Sequence, residues 1–253
     1  MEAWFIHVFI LFAELLLPMI ESWHSLHSLE EREEDAMLES ILNLNANLKV
    51  NRERWGNRDR WEKHDKYGYQ WGNGYKQTHG ETAALADTFL RPHIPAGRYD
   101  LKVLELSPGA GRFTAELIRY ASSIDLLDMN EACLELTRER FKMTPVPMRT
   151  YHNDGQSCAM VEDADYDLIA CFDSMVHMHP VIIHGYVTQL GARLAPGGLL
   201  WLDHSGKGAN DKGHRTDMTP EKMSDLAREA GLNVVSQSFR NNKDCVSVLA
   251  RPQ

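Results

Sequence analysis

The chain has 253 residues, enough for one α/β domain with a sizeable core plus an appendage. Its formal net charge of −9 argues against a broad basic face that would grip nucleic acid. The four cysteines, Cys133, Cys158, Cys171 and Cys245, include no C-x-x-C pair, so they read as buried thiols in a reducing, cytoplasmic setting rather than a disulfide frame or zinc cage.

Residues 3–20 are mostly apolar but are interrupted by His7, Glu14 and Pro18. A secretory signal starts with positive charge, and a spanning helix needs about 20 clean apolar residues with basic flanks. Here Glu2 is the only early charge, and the first Lys or Arg is Arg32. His7, Glu14 and Glu21 form one narrow polar face on an otherwise greasy helix. Such a helix is expected to pack on a second copy of the chain or on its own domain, with peripheral membrane contact as the alternative. Ser28-Leu-Glu-Glu31 is a capping box opening a second helix, with Met37, Leu38, Ile41, Leu42 and Leu48 as its apolar stripe. Residues 1–50 therefore read as a helical extension for oligomerisation or capping. Residues 51–98 lose that period at first and read as an aromatic cap segment with a lead-in helix. They hold Trp55, Trp61, Tyr67, Tyr69, Trp71 and Tyr75. Thr78-His-Gly-Glu81 then opens a helix carrying Leu85, Phe89 and Leu90, stopped by Pro92.

From residue 99 onward strands and helices alternate. Strands are expected at 101–106, 124–127, 148–152, 166–172 and 199–202, with helices at 112–121, 131–141, 180–194 and 218–230 between and after them. The turn Ala195-Pro-Gly-Gly198 is expected to separate the third helix from its strand. Residues 233–239 and 245–250 flank Arg240-Asn-Asn-Lys-Asp244 as a closing hairpin. The alternation implies a parallel sheet with helices on both faces, and the hairpin adds an antiparallel edge.

The stretch Val103-Leu-Glu-Leu-Ser-Pro-Gly-Ala-Gly-Arg112 is an apolar strand running through Glu105 into a glycine-bearing turn and a helix. That order builds a nucleotide-type pocket at the carboxyl end of a parallel strand. Gly109 and Gly111 let backbone approach a ligand closely. Asp128, Asp154 and Asp173 close three successive strands. Asp128 is placed to accept both ribose hydroxyls, with Met129 beside it. Asp154 is placed to accept from an adenine amine, with Gly155 leaving room for the ring. Glu105 and Asp173 bring negative charge towards a cofactor carrying an ammonium and a sulfonium. A dinucleotide fold is disfavoured because Thr114 stands where a third glycine would seat the pyrophosphate.

On these motifs the chain resembles class I S-adenosylmethionine-dependent methyltransferases, with Glu105-Leu-Ser-Pro-Gly-Ala-Gly111 as the acidic, glycine-rich first motif. Ser107 stands where that family usually has a glycine. The resemblance implies a Rossmann-like α/β fold with a seven-stranded, mostly parallel sheet over residues 99–253, an antiparallel C-terminal hairpin, and S-adenosyl-L-methionine as cofactor. A narrower likeness lies in Tyr151-His-Asn-Asp-Gly155, Phe172-Asp-Ser-Met-Val-His177, Asp203-His-Ser205 and the tryptophan-rich run before the first strand. These resemble bacterial sugar O-methyltransferases, which tend to carry His-His-Ser where this chain has Asp203-His204-Ser205.

Methyl transfer is an in-line displacement, so the protein mainly aligns the acceptor and removes its proton. His177 follows Asp173 by one helical turn and is the expected general base, with His204 or Asp203 orienting it or the sugar. Asp173, His177, Asp203 and His204 together could also hold Mg²⁺. Trp55, Trp71 and Tyr75 are the aromatic candidates for stacking on a sugar ring or shielding the site as a lid. The expected activity is O-methylation of a sugar or glycosylated small molecule. A phenol, amine or carboxylate acceptor is the alternative, as is a non-catalytic methyltransferase-like assembly subunit.

Overall fold

The computed structural model describes residues 39–63, 67–69, 79–209 and 215–252. The apolar helix expected at residues 3–20, the capping box at Ser28, Met37 and Leu38 of the stripe, Trp71 and Tyr75 lie outside the described residues. The chain divides into two units, Met1–Asn45 and Ala46–Gln253. Residues 39–45 of the first unit are described and are helical.

Helix α1 (residues 39–55) continues past the point where the apolar period was expected to fade. It ends at Gly56, where any Cβ would come within 2.6 Å of the Arg52 carbonyl. Asn57 then caps α2 (Arg58–Glu62), its side chain accepting from the Arg60 amide. The tryptophan segment is thus partly helical. Helix α3 (His79–Phe89) follows, and the 3₁₀ turn Arg91–His93 begins where Pro92 cannot continue the helix.

The larger unit holds a seven-stranded sheet in the order β3-β2-β1-β4-β5-β7-β6. Its strands are β1 (Leu101–Leu106), β2 (Ala121–Asp128), β3 (Met148–His152), β4 (Tyr166–Cys171), β5 (Leu194–Ser205), β6 (Asn233–Phe239) and β7 (Asp244–Ala250). The first five pair in parallel, and β7 runs antiparallel to both β5 and β6. This is the expected mostly parallel architecture with its antiparallel hairpin. Helices α4 (Thr114–Leu117), α5 (Glu131–Phe141), α6 (Pro180–Gly191) and α7 (Pro220–Glu229) complete it.

Three boundaries differ most from the sequence expectation. The helix expected at 112–121 shrinks to the four residues of α4, because Ala121 already pairs with Leu101 and opens β2. Strand β5 starts at Leu194 and passes through Pro196-Gly-Gly198, which the β4–β5 ladder absorbs as a register shift instead of a separating turn. Helix α6 stops at Gly191, three residues early, so that Leu194 can pair with Tyr166.

The core is built by the apolar runs that make the central strands helix-averse and buried on both faces. Phe113 stacks on Phe172 at 4.6 Å and on Trp201 at 5.0 Å. The Trp201 indole N–H donates to the Phe89 carbonyl at 2.8 Å, which satisfies the end of α3 and fixes that helix to the sheet. In strand order the chain moves outward from β1 through β2 to β3, then returns to β4 on the other side. That reversal leaves a crevice beyond the carboxyl ends of β1 and β4.

Candidate active site

A cavity of about 500 Å³ occupies this crevice, a volume suited to a cofactor-sized ligand. Glu105, Ser107, Gly109, Asp128, Met129, Gly155, Asp173, His177 and Trp55 all line it. The sequence expectation therefore brings nine of its site residues together.

Glu105 belongs to β1 and is 1 % exposed, with the Thr114 hydroxyl donating to its Oε2 at 2.5 Å. Burial pushes its carboxyl up to about 8, the Thr114 hydrogen bond opposing the shift. Asp128 ends β2. Its Oδ1 accepts from the Asn130 amide at 2.8 Å and its Oδ2 from the Gly109 amide at 3.4 Å. Burial raises it to about 7 against those two backbone donors. Gly109 adopts φ +58, and a Cβ there would come within 2.8 Å of the Trp61 ring. A Cβ on Gly155 would meet Leu48 and Met129 at 3.0 Å each. The backbone is bare where a flat ring must approach, and two carboxyl side chains stand where a cationic, hydroxyl-bearing ligand has matching groups. These residues fit S-adenosylmethionine.

The opposite wall is a guanidinium–carboxylate chain. Asp173 sits in the left-handed region at φ +55. Its Oδ2 accepts from Arg112 at 2.5 Å and its Oδ1 from Arg240 at 2.8 Å. Burial alone would raise the Asp173 carboxyl, but Arg112 and then Arg240 outweigh it and hold the group well below its ordinary value. Arg240, in the β6–β7 turn, also donates from Nε to Asp203 at 2.8 Å and reaches Asp244 at 3.2 Å. Asp203 Oδ2 in turn accepts the Asp173 amide at 2.9 Å, which pins the strained backbone.

Four expected site residues are placed elsewhere. Asp203 and His204 do not reach the cavity wall, and both are fully buried. Successive residues of β5 point to opposite faces, so His204 turns away from Asp203. Its Nδ1 pairs with the Ser205 carbonyl and its Nε2 with the Ser247 hydroxyl, each at 2.7 Å. Burial lowers it to about 4, which keeps it neutral and sealed from any acceptor. Asp154 is exposed and spends Oδ1 on the amides of Gln156 and Ser157, an Asx turn instead of an adenine contact. Gly111 lies off the wall at φ +79, and a Cβ there would strike Phe141 at 2.6 Å, so it serves packing against α5.

The Mg²⁺ expectation fails on donor chemistry. Each oxygen of Asp173 and Asp203 is already hydrogen-bonded to a guanidinium or an amide, and His204 faces Ser247. Among the described residues no cluster of three or more His, Cys, Asp or Glu could hold a metal ion. Nor is any described helix long and apolar enough to cross a membrane.

His177 closes the 3₁₀ turn Met175–His177 at the cavity rim, its ring 5.4 Å from that of Trp55. Its carbonyl accepts from the side chains of Asn47 and Asn51 at 2.9 and 3.0 Å, which ties α1 to the rim. Sequence reasoning missed Arg54, Arg60, Arg112 and Arg240. Arg112 read as a helix start and Arg240 as turn filler, since their partners lie 61 and 67 residues away.

Residues 103–198, spanning the glycine loop through the start of β5, match the family described as "Methyltransferase domain". That stretch, 96 of the 253 residues, is similar to methyltransferase domains. The fold of the chain is shared by an S-adenosylmethionine-dependent methyltransferase from Clostridium acetobutylicum. That match has 12 % identity, covers 77 % of this chain and 100 % of the other, and has a TM-score of 0.61. Magnesium protoporphyrin IX methyltransferase from Synechocystis with bound S-adenosylhomocysteine matches with 11 % identity, 81 % and 100 % coverage and a TM-score of 0.62. The DhpI–S-adenosylhomocysteine complex matches with 15 % identity, 81 % and 98 % coverage and a TM-score of 0.60. Among curated proteins none matches. These identities establish the methyltransferase fold, and the narrower sugar-specific likeness gains no support from them.

Proposed function

We propose that this methyltransferase moves the methyl group of S-adenosylmethionine to a hydroxyl oxygen of a small acceptor, with a sugar or sugar-bearing molecule as the acceptor class. The observation that carries the hydroxyl assignment is His177, which lines the same cavity as Glu105 and Asp128. When bound, the cofactor supplies a methyl carbon on a sulfonium that departs as a neutral thioether.

Asp128 binds the ribose hydroxyls, held in place by the Asn130 and Gly109 amides. Met129, Leu48 and Gly155 bound the slot for the base. Glu105 faces the cationic end of the ligand from beneath the glycine loop. His177 would take the proton of the acceptor hydroxyl, and Trp55 packs against its ring to orient it. Asp173, with both oxygens held by arginines, shapes the wall and does not act as a base. The sugar class rests on the motif resemblance and on Trp55 as an aromatic surface in the cavity.

A screen of glycans and nucleotide sugars with methyl-labelled cofactor tests the reading. Label is expected on a hydroxyl oxygen. His177→Ala is expected to lower kcat by roughly 100-fold or more while leaving S-adenosylhomocysteine affinity unchanged. An equally active variant removes His177 from the reaction, and label on nitrogen or carboxylate removes the hydroxyl acceptor.

A further inference from the structure

The sequence Arg52-Glu-Arg-Trp55 is followed, after Gly56-Asn57, by the similar Arg58-Asp-Arg-Trp61. The first arginine of each copy is engaged by the protein. Arg52 donates to the Asp154 carbonyl at 3.2 Å, and Arg58 pairs with Glu62 at 2.8 Å and Glu139 at 3.0 Å. The second arginine of each copy, Arg54 or Arg60, lines the cavity. Their guanidinium carbons lie 5.3 and 5.6 Å from the centroid of one indole, that of Trp55. The Nε of Arg54 is buried and has no hydrogen-bond partner among the described residues. Burial, and after it the charge of Arg54, pulls the Arg60 guanidinium below its ordinary value.

Two guanidinium groups held beside one ring repel each other, and their planar forks suit a two-oxygen anion. Trp61, next to Arg60, packs over Gly109, and Trp55 stacks near His177, so the pair stands between the glycine loop and the rim. We propose that Arg54 and Arg60 form an anion receptor that grips a carboxylate- or phosphate-type group of a ligand bound in the cavity. The identity of that ligand rests on the methyltransferase reading and has two sources. One is the amino-acid carboxylate of the cofactor, and the other is an acidic group on the acceptor.

Calorimetry on the full chain separates them, with S-adenosylhomocysteine compared against methylthioadenosine, which keeps the nucleoside and thioether but has no carboxylate. Inorganic phosphate is the free-anion probe, read as a rise in Tm of the nucleoside-bound protein. If the cofactor supplies the anion, Arg54→Gln/Arg60→Gln loses roughly 10- to 100-fold in S-adenosylhomocysteine affinity and none for methylthioadenosine. Phosphate then stabilises only the methylthioadenosine-bound wild type. If the acceptor supplies it, both nucleosides bind the variant as they bind wild type, and phosphate stabilises either wild-type complex but neither variant complex. Arg54→Lys/Arg60→Lys keeps the charge without the fork and is expected to retain part of the response, which separates charge loss from misfolding. Unchanged nucleoside affinities together with a phosphate response equal in wild type and Gln variant overturn the receptor. Wild type binding neither nucleoside overturns the methyltransferase reading instead, and an arginine-dependent phosphate response would still support the receptor.

Discussion

Glu105 and Asp128 on one wall of the cavity and Asp173 on the other are the same kind of acid at the ends of neighbouring strands, in opposite surroundings. On the first wall the strongest partners are a hydroxyl and backbone amides, so burial wins and both carboxyls are pushed up, to about 8 and about 7. On the second, Arg112 and Arg240 reach Asp173 and hold it ionised. The difference separates binding from support. Acids with guanidinium partners brace the wall, whereas buried acids without them are matched by the charge and hydroxyls a ligand brings.

The largest expected effect comes from breaking the braced side. Arg240→Met leaves Asp173, Asp203 and Asp244 without their shared counter-charge. A loss of about 3–5 kcal/mol in urea-denaturation stability is expected, because removing one partner strands buried charge. A loss below about 1 kcal/mol would show that the chain is a surface-like, weakly coupled pair set. On the ligand side Asp128→Asn is expected to lower S-adenosylhomocysteine affinity roughly 10- to 100-fold with unfolding free energy nearly unchanged. Equal loss of stability and affinity would erase the contrast between the two walls.

The smallest signal is a proton count. Glu105 and Asp128 hold protons that a bound cation expels, so cofactor binding is expected to release roughly one proton near pH 7 and to tighten as pH rises. Titration calorimetry in two buffers of different ionisation enthalpy reads that number, and zero release would remove the raised acids from the binding step. In the free protein the sign is the reverse. Both folded values lie above the ordinary 4.5 and 3.8, so the folded chain binds more protons than the unfolded chain between those values and about 8, and stability falls as pH rises through that window.

What the sequence made legible follows the range of the forces involved. The sheet and its reversal point come from local periodicity, and Asp128 from its place after an apolar run, so both were readable. His204 was separable from the cavity by strand alternation, since it neighbours Asp203 on β5. Asp154-Gly-Gln-Ser157 carries a local Asx-turn pattern that competes with ligand binding for the same oxygen. Arg240 had no such signal, because its carboxylates are distant in sequence and only the hairpin brings it to them. The paired Arg-x-Arg-Trp copies were visible, but which arginine of each faces inward depends on where α1 ends and α2 begins.

The hairpin arginine also imposes an order on synthesis. Asp203 leaves the ribosome 37 residues before the arginine that neutralises it, and Asp173 waits 67 residues for the second of its two arginines. A nascent chain that has completed β5 thus carries Asp203 bound for the interior without its guanidinium partner, while Asp173 has Arg112 alone, and collapse at that stage is opposed by carboxylate hydration. Closure of this wall waits on translation of the final turn, so a stalled or nicked chain would stay open to chaperones and proteases along one side of the cavity.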